Sequence, residues 1–182
     1  MIGYILIGLV VIIALWLIST YNNFIVLQNR MGNAESQIDV QLKKRFDLVP
    51  NLVETVKGYA KHEKGVFTEV SQARNALVKA GDILAKSKAN AAMTSALGRL
   101  FAVAEAYPQL KANENFLMLQ EELSGIESKI AYARQFFNDS VLNYNNSVER
   151  FPGNIIGNLF NFKEKPFFEM DEKEKKPVKV EF

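Results

Sequence analysis

From Ile2 to Ile18 no position carries a charged or strongly polar side chain. At 1.5 Å per residue this run covers about 26 Å, and Ser19, Thr20 and Tyr21 bring it to about the 30 Å of a bilayer core. Tyr4 near one end and Trp16 and Tyr21 near the other suit the aromatic belt of a membrane interface. A cleaved signal peptide would need a basic residue before the run, a shorter apolar core and a small-x-small site after it, and none is present. Residues 1–21 are therefore expected to form a retained transmembrane anchor.

Beyond the anchor the apolar positions settle into steps of three and four. Leu27, Met31, Ala34, Ile38, Leu42, Phe46, Val49, Val53, Val56 and Ala60 form one stripe of the kind a helix turns toward a core. With no helix breaker at its start, the membrane helix is expected to run on into this stripe. Pro50 removes a backbone donor and crowds the preceding turn, so a kink is expected near Phe46 to Val49, making Pro50 a candidate hinge. A second run, Val66, Val70, Ala73, Leu77 and Ala80, stops at Gly81-Asp82, which reads as a C-cap and turn. A third runs from Met93 to Tyr107 and ends before Pro108. The fourth is the most regular: Phe116, Leu119, Leu123, Ile126, Ile130, Ala133, Phe137, Ser140 and Tyr144, followed by Val148 and Phe151. Its alternating steps make a heptad seam, with Asn113 as N-cap and Pro152-Gly153 as terminator.

Gln28 to Lys61 and Asn113 to Arg150 are 34 and 38 residues long, so the first and last helices match well enough to pack antiparallel over most of their span. The fold class predicted is all-α: an N-terminal transmembrane helix continuing into an antiparallel bundle of about four helices, with a mostly non-helical C-terminal tail. The corresponding divisions are residues 1–21, 22–151 and 152–182. The seam could close within the chain or between chains, which leaves a homo-oligomer open. The tail is apolar and Asn-rich from Phe151 to Phe162, has Phe167-Phe168 after a proline, and then turns mixed-charge from Asp171 to Lys176. Val178 to Phe182 alternates in character and could pair as a strand. The apolar part either docks along the bundle or meets a membrane or another subunit, and docking is the simpler reading.

Composition narrows the chemistry. No cysteine is present, so disulfides, thiolate metal sites and thiol nucleophiles are excluded. The net charge of +2 conceals six bases against four acids from Tyr21 to His62, and four against six from Pro108 to Arg150. The two stretches complement one another, and neither has the basic footprint of a nucleic-acid binder. Arg30 and the Lys43, Lys44, Arg45 cluster follow the anchor while nothing but the terminal amine precedes it. The positive-inside rule then puts the N-terminus outside and the bundle in the cytoplasm, in a bacterial inner membrane crossed once.

Residues able to form a reactive site are few. His62 is the single histidine, without a second ligand at metal spacing, and is expected at a helix end. Glu121 and Glu122 are adjacent on a helix and do not face each other, so a solvated edge accounts for them. No phosphate loop or nucleophile elbow occurs. The chain is expected to be no enzyme and to carry no cofactor or metal. The segment around Gln37, Asp39, Gln41, Arg45 and Asp47 is more unusual, since it sets many polar groups on a helix whose apolar stripe runs through them. Surface pairs such as Asp39 with Lys43 and Lys43 with Asp47 explain part of it. The alternative is a candidate interaction surface for another helix or subunit.

The runs Asn29 to Glu35, Gln37 to Arg45 and Asp47 to Val53 resemble the signature of the LemA protein family. Val56 to Ala60 with His62-Glu63, Tyr107-Pro108 with Leu110 to Asn113, and Ser128 to Phe151 with Pro152 extend the likeness over nearly the whole chain. Gly65 departs from it, standing where an acidic residue would be expected. The resemblance implies one N-terminal membrane helix, a short outside N-terminus and an antiparallel helical bundle, and it transfers no activity or catalytic residue. The function expected is a membrane-anchored, non-enzymatic helical scaffold that engages the bilayer through residues 1–21, an unidentified protein partner and copies of itself. A ligand-sensing module coupling the bundle to its membrane helix is the alternative.

Overall fold

The structure is a computed structural model that describes residues 1–169. The mixed-charge run and the strand considered for Val178 to Phe182 lie outside the described residues. Six helices follow one another: α1 (Ile2–Tyr59), α2 (Lys64–Lys79), α3 (Ile83–Glu105), α4 (Pro108–Lys111), α5 (Glu114–Glu149) and α6 (Gly153–Leu159). No strand occurs among the described residues. The apolar run and the first amphipathic stripe are one helix, as their unbroken pattern requires, and its 58 residues extend about 87 Å. The first fifteen residues are exposed along their whole length. By length and composition this is a helix able to cross a membrane.

Named contacts fix how the helices run. Phe24 meets Tyr144 with ring centroids 6.4 Å apart, Arg45 meets Glu127 at 2.7 Å, and Asn113 Nδ2 donates to the Tyr59 hydroxyl at 3.1 Å. Numbers rise on α1 as they fall on α5, so the two helices are antiparallel. Lys57 over the Phe67 ring and Arg74 over that of Phe46 set α2 antiparallel to α1. Lys86 with Glu35 and Arg45 with Asn90 set α3 parallel to α1, and Phe101 against Phe116 sets it antiparallel to α5.

Two apolar clusters lie along this arrangement. The distal one joins Leu52 and Val56 of α1, Val70 of α2, Met93 and Leu100 of α3, and Phe116 and Leu123 of α5. The one nearer the N-terminal run joins Phe24, Ile38 and Leu42 to Ile130, Phe137 and Tyr144, and is closed by Ile83, Ile156 and Phe168. The α2–α3 hairpin thus covers the distal half of the α1–α5 pair, and residues 153–169 cover the other.

Local chemistry explains the boundaries. Asn113 caps α5, its side chain accepting from Phe116 N at 3.0 Å, as its position before the seam predicts. Gly81-Asp82 does form the turn, but Asp82 belongs to the next helix, accepting from Ala85 N at 2.8 Å as the N-cap of α3. α3 therefore begins ten residues before Met93. Apart from Ile83, its first turns bury only small or polar side chains (Ser87, Ala89 and Asn90), which hides the period. The seam on α5 is buried from Phe116 to Tyr144, whereas Val148 is half-buried and Phe151 exposed, so it closes within the chain and stops at Tyr144.

The tail begins with one short helix, and residues 160–169 that follow it are non-helical. Gly153 starts α6 against the Ser147 carbonyl, where a Cβ would clash. Asn161, at φ 58°, ends it in a Schellman motif: Phe162 N donates to Gly157 O at 2.8 Å and Asn161 N to Asn158 O at 3.4 Å. Asn tolerates this left-handed conformation better than most residues, and it turns the chain back along α5.

Pro50 does not end α1, which stays helical through it. The acceptor it leaves without an intrahelical donor is the Phe46 carbonyl, one turn back. Arg74 of α2 supplies a replacement, with Nε 3.5 Å from that oxygen and its guanidinium carbon 3.7 Å from the Phe46 ring centroid. Arg74→Ala is expected to destabilise the chain by about 1–2 kcal/mol, the sum of a weak hydrogen bond and a cation–π contact. In a Pro50→Ala background the restored amide serves Phe46, and the same substitution should cost about half as much. Urea midpoints of the four proteins in detergent would measure this. Equal costs in both backgrounds would mean that Arg74 does not compensate for the proline.

Candidate interaction surface

The five polar residues singled out on α1 do not share one environment. Arg45 is buried, its side chain only 4% exposed. Its guanidinium Nη1 donates to Asn90 Oδ1 of α3 at 2.8 Å and lies 2.7 Å from Glu127 Oε2 of α5. Arg45 therefore ties three helices of its own chain and is not available to a partner at the surface. The reason is geometric: it sits four residues before Val49 and three after Leu42, on the buried stripe itself. Burial lowers its pKa and the Glu127 charge opposes that shift.

Asp39 lies on the side of α1 that faces α3. Lys86 Nζ stands 2.8 Å from Asp39 Oδ1 and 2.9 Å from Glu35 Oε1, so one ammonium bridges two carboxylates a turn apart. Asp47 is exposed and pairs with Lys43 at 3.1 Å, as the i,i+4 spacing predicts. Gln37 and Gln41 face the other way, into a shallow groove between α1 and α5 that Val40, Tyr132 and Phe136 also line. Tyr132 is 73% exposed there. The side-chain Oε1 of Gln41 is shielded from water and has no donor among the described residues. The sequence pattern thus splits into a buried tie (Arg45), a bridge to α3 (Asp39), a solvated pair (Asp47) and a groove edge (Gln37 and Gln41).

Burial alone would lower the Lys86 pKa, but the hydrogen bonds and charges of Asp39 and Glu35 outweigh it and the value is raised. A raised folded value contributes stability that is fully present below the unfolded lysine value of about 10.4, and it is lost as pH rises through the higher folded one. Between pH 9 and about 12 the urea midpoint should therefore fall more steeply for the native chain than for Lys86→Met. Parallel slopes would remove the bridge from the stability of the fold.

Several residues that organise the site have no mark in the hydrophobic period. Asn90 and Glu127 complete the Arg45 tie, and Lys86 holds the carboxylates of α1. Asn138 and Asn145 of α5 grip the returning tail. Asn145 Nδ2 donates to Lys165 O and its Oδ1 accepts from Lys165 N, both at 2.9 Å. Asn138 does the same for Phe168, at 3.1 and 2.8 Å. Their spacing of seven, on a helix whose seam repeats every seven, was the one available sign. His62 is exposed near the end of α1, as are Glu121 and Glu122 on α5. Among the described residues no three His, Asp or Glu side chains are grouped as metal ligands would be.

These features define a class of protein: all-helical, with an exposed apolar N-terminal helix that runs unbroken into a long antiparallel helix pair. The chain belongs to the LemA family, whose family model matches residues 34–182. That range takes in the Arg45 tie, the groove and both asparagines, and leaves out the apolar run. Magnetosome protein MamQ of Magnetospirillum gryphiswaldense is 25% identical over 178 residues, covering 84% of this chain and 65% of that protein. Magnetosome protein MamQ 2 of Paramagnetospirillum magneticum is 26% identical over 179 residues, covering 84% of this chain and 66% of that protein. The chain thus spans a little under two thirds of the length of these relatives. Protein LemA of Metamycoplasma hominis is 24% identical over 152 residues, 83% of this chain and 69% of that protein.

Proposed function

We propose that this chain is a membrane-anchored, non-enzymatic interaction protein. In this reading residues 1–21 span a bacterial inner membrane once, and the helices beyond them form a bundle that holds a protein-binding face close to the cytoplasmic surface. The observation that carries it is the α1–α5 groove. Val40 and Tyr132 stand exposed on its two walls, and the side-chain amide oxygen of Gln41, which also lines it, is dry and without a donor among the described residues. A shielded acceptor lacking a partner is costly, and a docked segment that shifts the side chains over it and supplies a donor would relieve it. Arg45 and the α5 seam are spent inside the chain, which favours this outer face for a partner. The same geometry serves an unrelated protein or a second copy of the chain.

A photo-crosslinking residue in place of Tyr132, in the full chain in native membranes, tests the proposal. A discrete adduct that disappears when Gln41→Ala and Val40→Lys are added would support it, and an adduct of twice the chain mass would make the partner another copy. Absence of any adduct, or one indifferent to those substitutions, would remove the groove as a working surface. Because the chain lacks cysteine, Lys61→Cys in the exposed turn after α1 reports the side of the membrane. A membrane-impermeant thiol reagent should leave it unlabelled in intact cells and label it once they are permeabilised.

A further inference from the structure

The segment from Phe151 to Phe162 contains no charged residue, yet Arg150 precedes it and Lys163 follows it. Its helix α6 has two apolar faces. One carries Ile156 and Gly157, both buried against the helical body. The other shows Ile155 and Leu159, one turn apart, and continues into Phe151 before the helix and Phe160 after it. These four are 53%, 70%, 81% and 52% exposed, respectively, and no described residue covers them. An apolar face of this kind on so short an element needs an occupant.

Its position names the occupant. Phe160 packs on Tyr21 with ring centroids 4.9 Å apart, and Phe162 lies 4.8 Å from Phe24 and 5.7 Å from Tyr21. Phe151, Pro152 and Gly153 line a cleft with Trp16 and Thr20. The segment therefore sits beside residues 16–24 of α1, where the apolar run gives way to polar sequence and where Trp16 and Tyr21 mark an interfacial belt. Side chains that would be stranded in water higher on the body are here level with the headgroup and upper acyl region. Arg150 and Lys163, both exposed, are placed to keep their charges among phosphates while their stems lie along the apolar surface.

We infer that residues 151–160 form a second membrane contact, in which Phe151, Ile155, Leu159 and Phe160 insert into the interface of the leaflet that α1 leaves. The inference rests on the membrane-anchor reading and extends it. One helix would leave the body free to swivel about the membrane normal and to tilt, whereas a helix plus an interfacial element beside it fixes both. The body then stands at a set angle, with the α1–α5 groove at a set height above the lipid.

Power-saturation electron paramagnetic resonance on single-cysteine, spin-labelled full chains in vesicles of three parts phosphatidylcholine to one part phosphatidylglycerol tests this. Leu159→Cys and Ile155→Cys are the probes, Val10→Cys the bilayer reference and Lys129→Cys the aqueous one. The expected result is an oxygen-to-nickel-chelate accessibility ratio at both probes about fivefold or more above that of Lys129→Cys, approaching that of Val10→Cys. A ratio at the probes equal to the Lys129→Cys value, with Val10→Cys lipid-exposed, would overturn the second contact and leave the anchor standing. Exclusion of both reagents from the probes would overturn it too, because the face would then be covered by protein. An aqueous Val10→Cys would sink the anchor reading and this inference with it.

Discussion

Glu127→Leu is expected to destabilise the chain by about 3–5 kcal/mol, and by more than Arg45→Met does, although the two residues form one ion pair. The asymmetry follows from who keeps access to water. The Arg45 side chain is 4% exposed and that of Glu127 is 35% exposed. Removing the carboxylate strands a guanidinium whose remaining partner is the neutral Asn90 oxygen at 2.8 Å, and whose Nε already lacks an acceptor among the described residues. Removing the guanidinium instead leaves a carboxylate that can turn to solvent, while Met refills the volume along the stripe. That loss should be nearer 1–3 kcal/mol. The double variant Arg45→Met with Glu127→Leu should recover most of the stability, since no charge is then left buried without its counterpart. Urea midpoints followed by far-ultraviolet circular dichroism, on full chains in detergent, give all three numbers. A cost for Glu127→Leu no larger than that for Arg45→Met would contradict the account. A double variant as unstable as the worse single variant would contradict it equally.

The tie shows why a one-dimensional reading stops where it does. The stripe is buried at Met31, Ala34, Ile38, Leu42, Val49, Val56 and Ala60 and half-buried at Leu27, Phe46 and Val53, and the α5 seam is buried from Phe116 to Tyr144. Hydrophobic period reports which face of a helix turns inward. It does not report what a polar residue on that face will meet, because the partner comes from another helix. Arg45 therefore looked like a surface group among Gln37, Asp39, Gln41 and Asp47, although its place between Leu42 and Val49 put it inside. Its partner Glu127 follows the seam residue Ile126, and adjacency to a seam is common to many solvated glutamates. The start of α3 is hidden in the sequence for a related reason: Ser87, Ala89 and Asn90 are buried through small size or hydrogen bonding, and neither property registers as hydrophobicity. The helix α6 escaped because seven residues give too few turns to establish a period. The Asn161 that closes it in a left-handed turn is also what a loop would carry.

Asn138→Leu is expected to speed amide hydrogen exchange at Phe168 by about thirtyfold, leaving the core amides of α5 unchanged. Asn145 and Asn138 each exchange two hydrogen bonds with the backbone of one tail residue, Lys165 and Phe168, as a neighbouring strand would. The register is dictated by arithmetic. Seven helical residues rise about 10.5 Å, and three extended residues cover about 10 Å, so two asparagines at this spacing meet every third residue of a straight strap. Ser87 Oγ of α3 adds a third grip, donating to the Glu169 carbonyl at 2.9 Å, which fastens the strap to the start of α3. Each such bond contributes about 1 kcal/mol net, so losing two releases the strap by about 2 kcal/mol, or some thirtyfold in its undocked population. The effect at Phe168 should exceed that of Asn145→Leu at Lys165. The Phe168 side chain is buried and its backbone groups would be left dry, whereas those of exposed Lys165 can turn to water. If exchange accelerated equally at Leu123, in the distal cluster, the substitution would be unfolding the whole chain and not releasing the strap. If Phe168 kept its native rate, the strap would be held by its aromatic anchor alone and the asparagine pair would play no part in docking it.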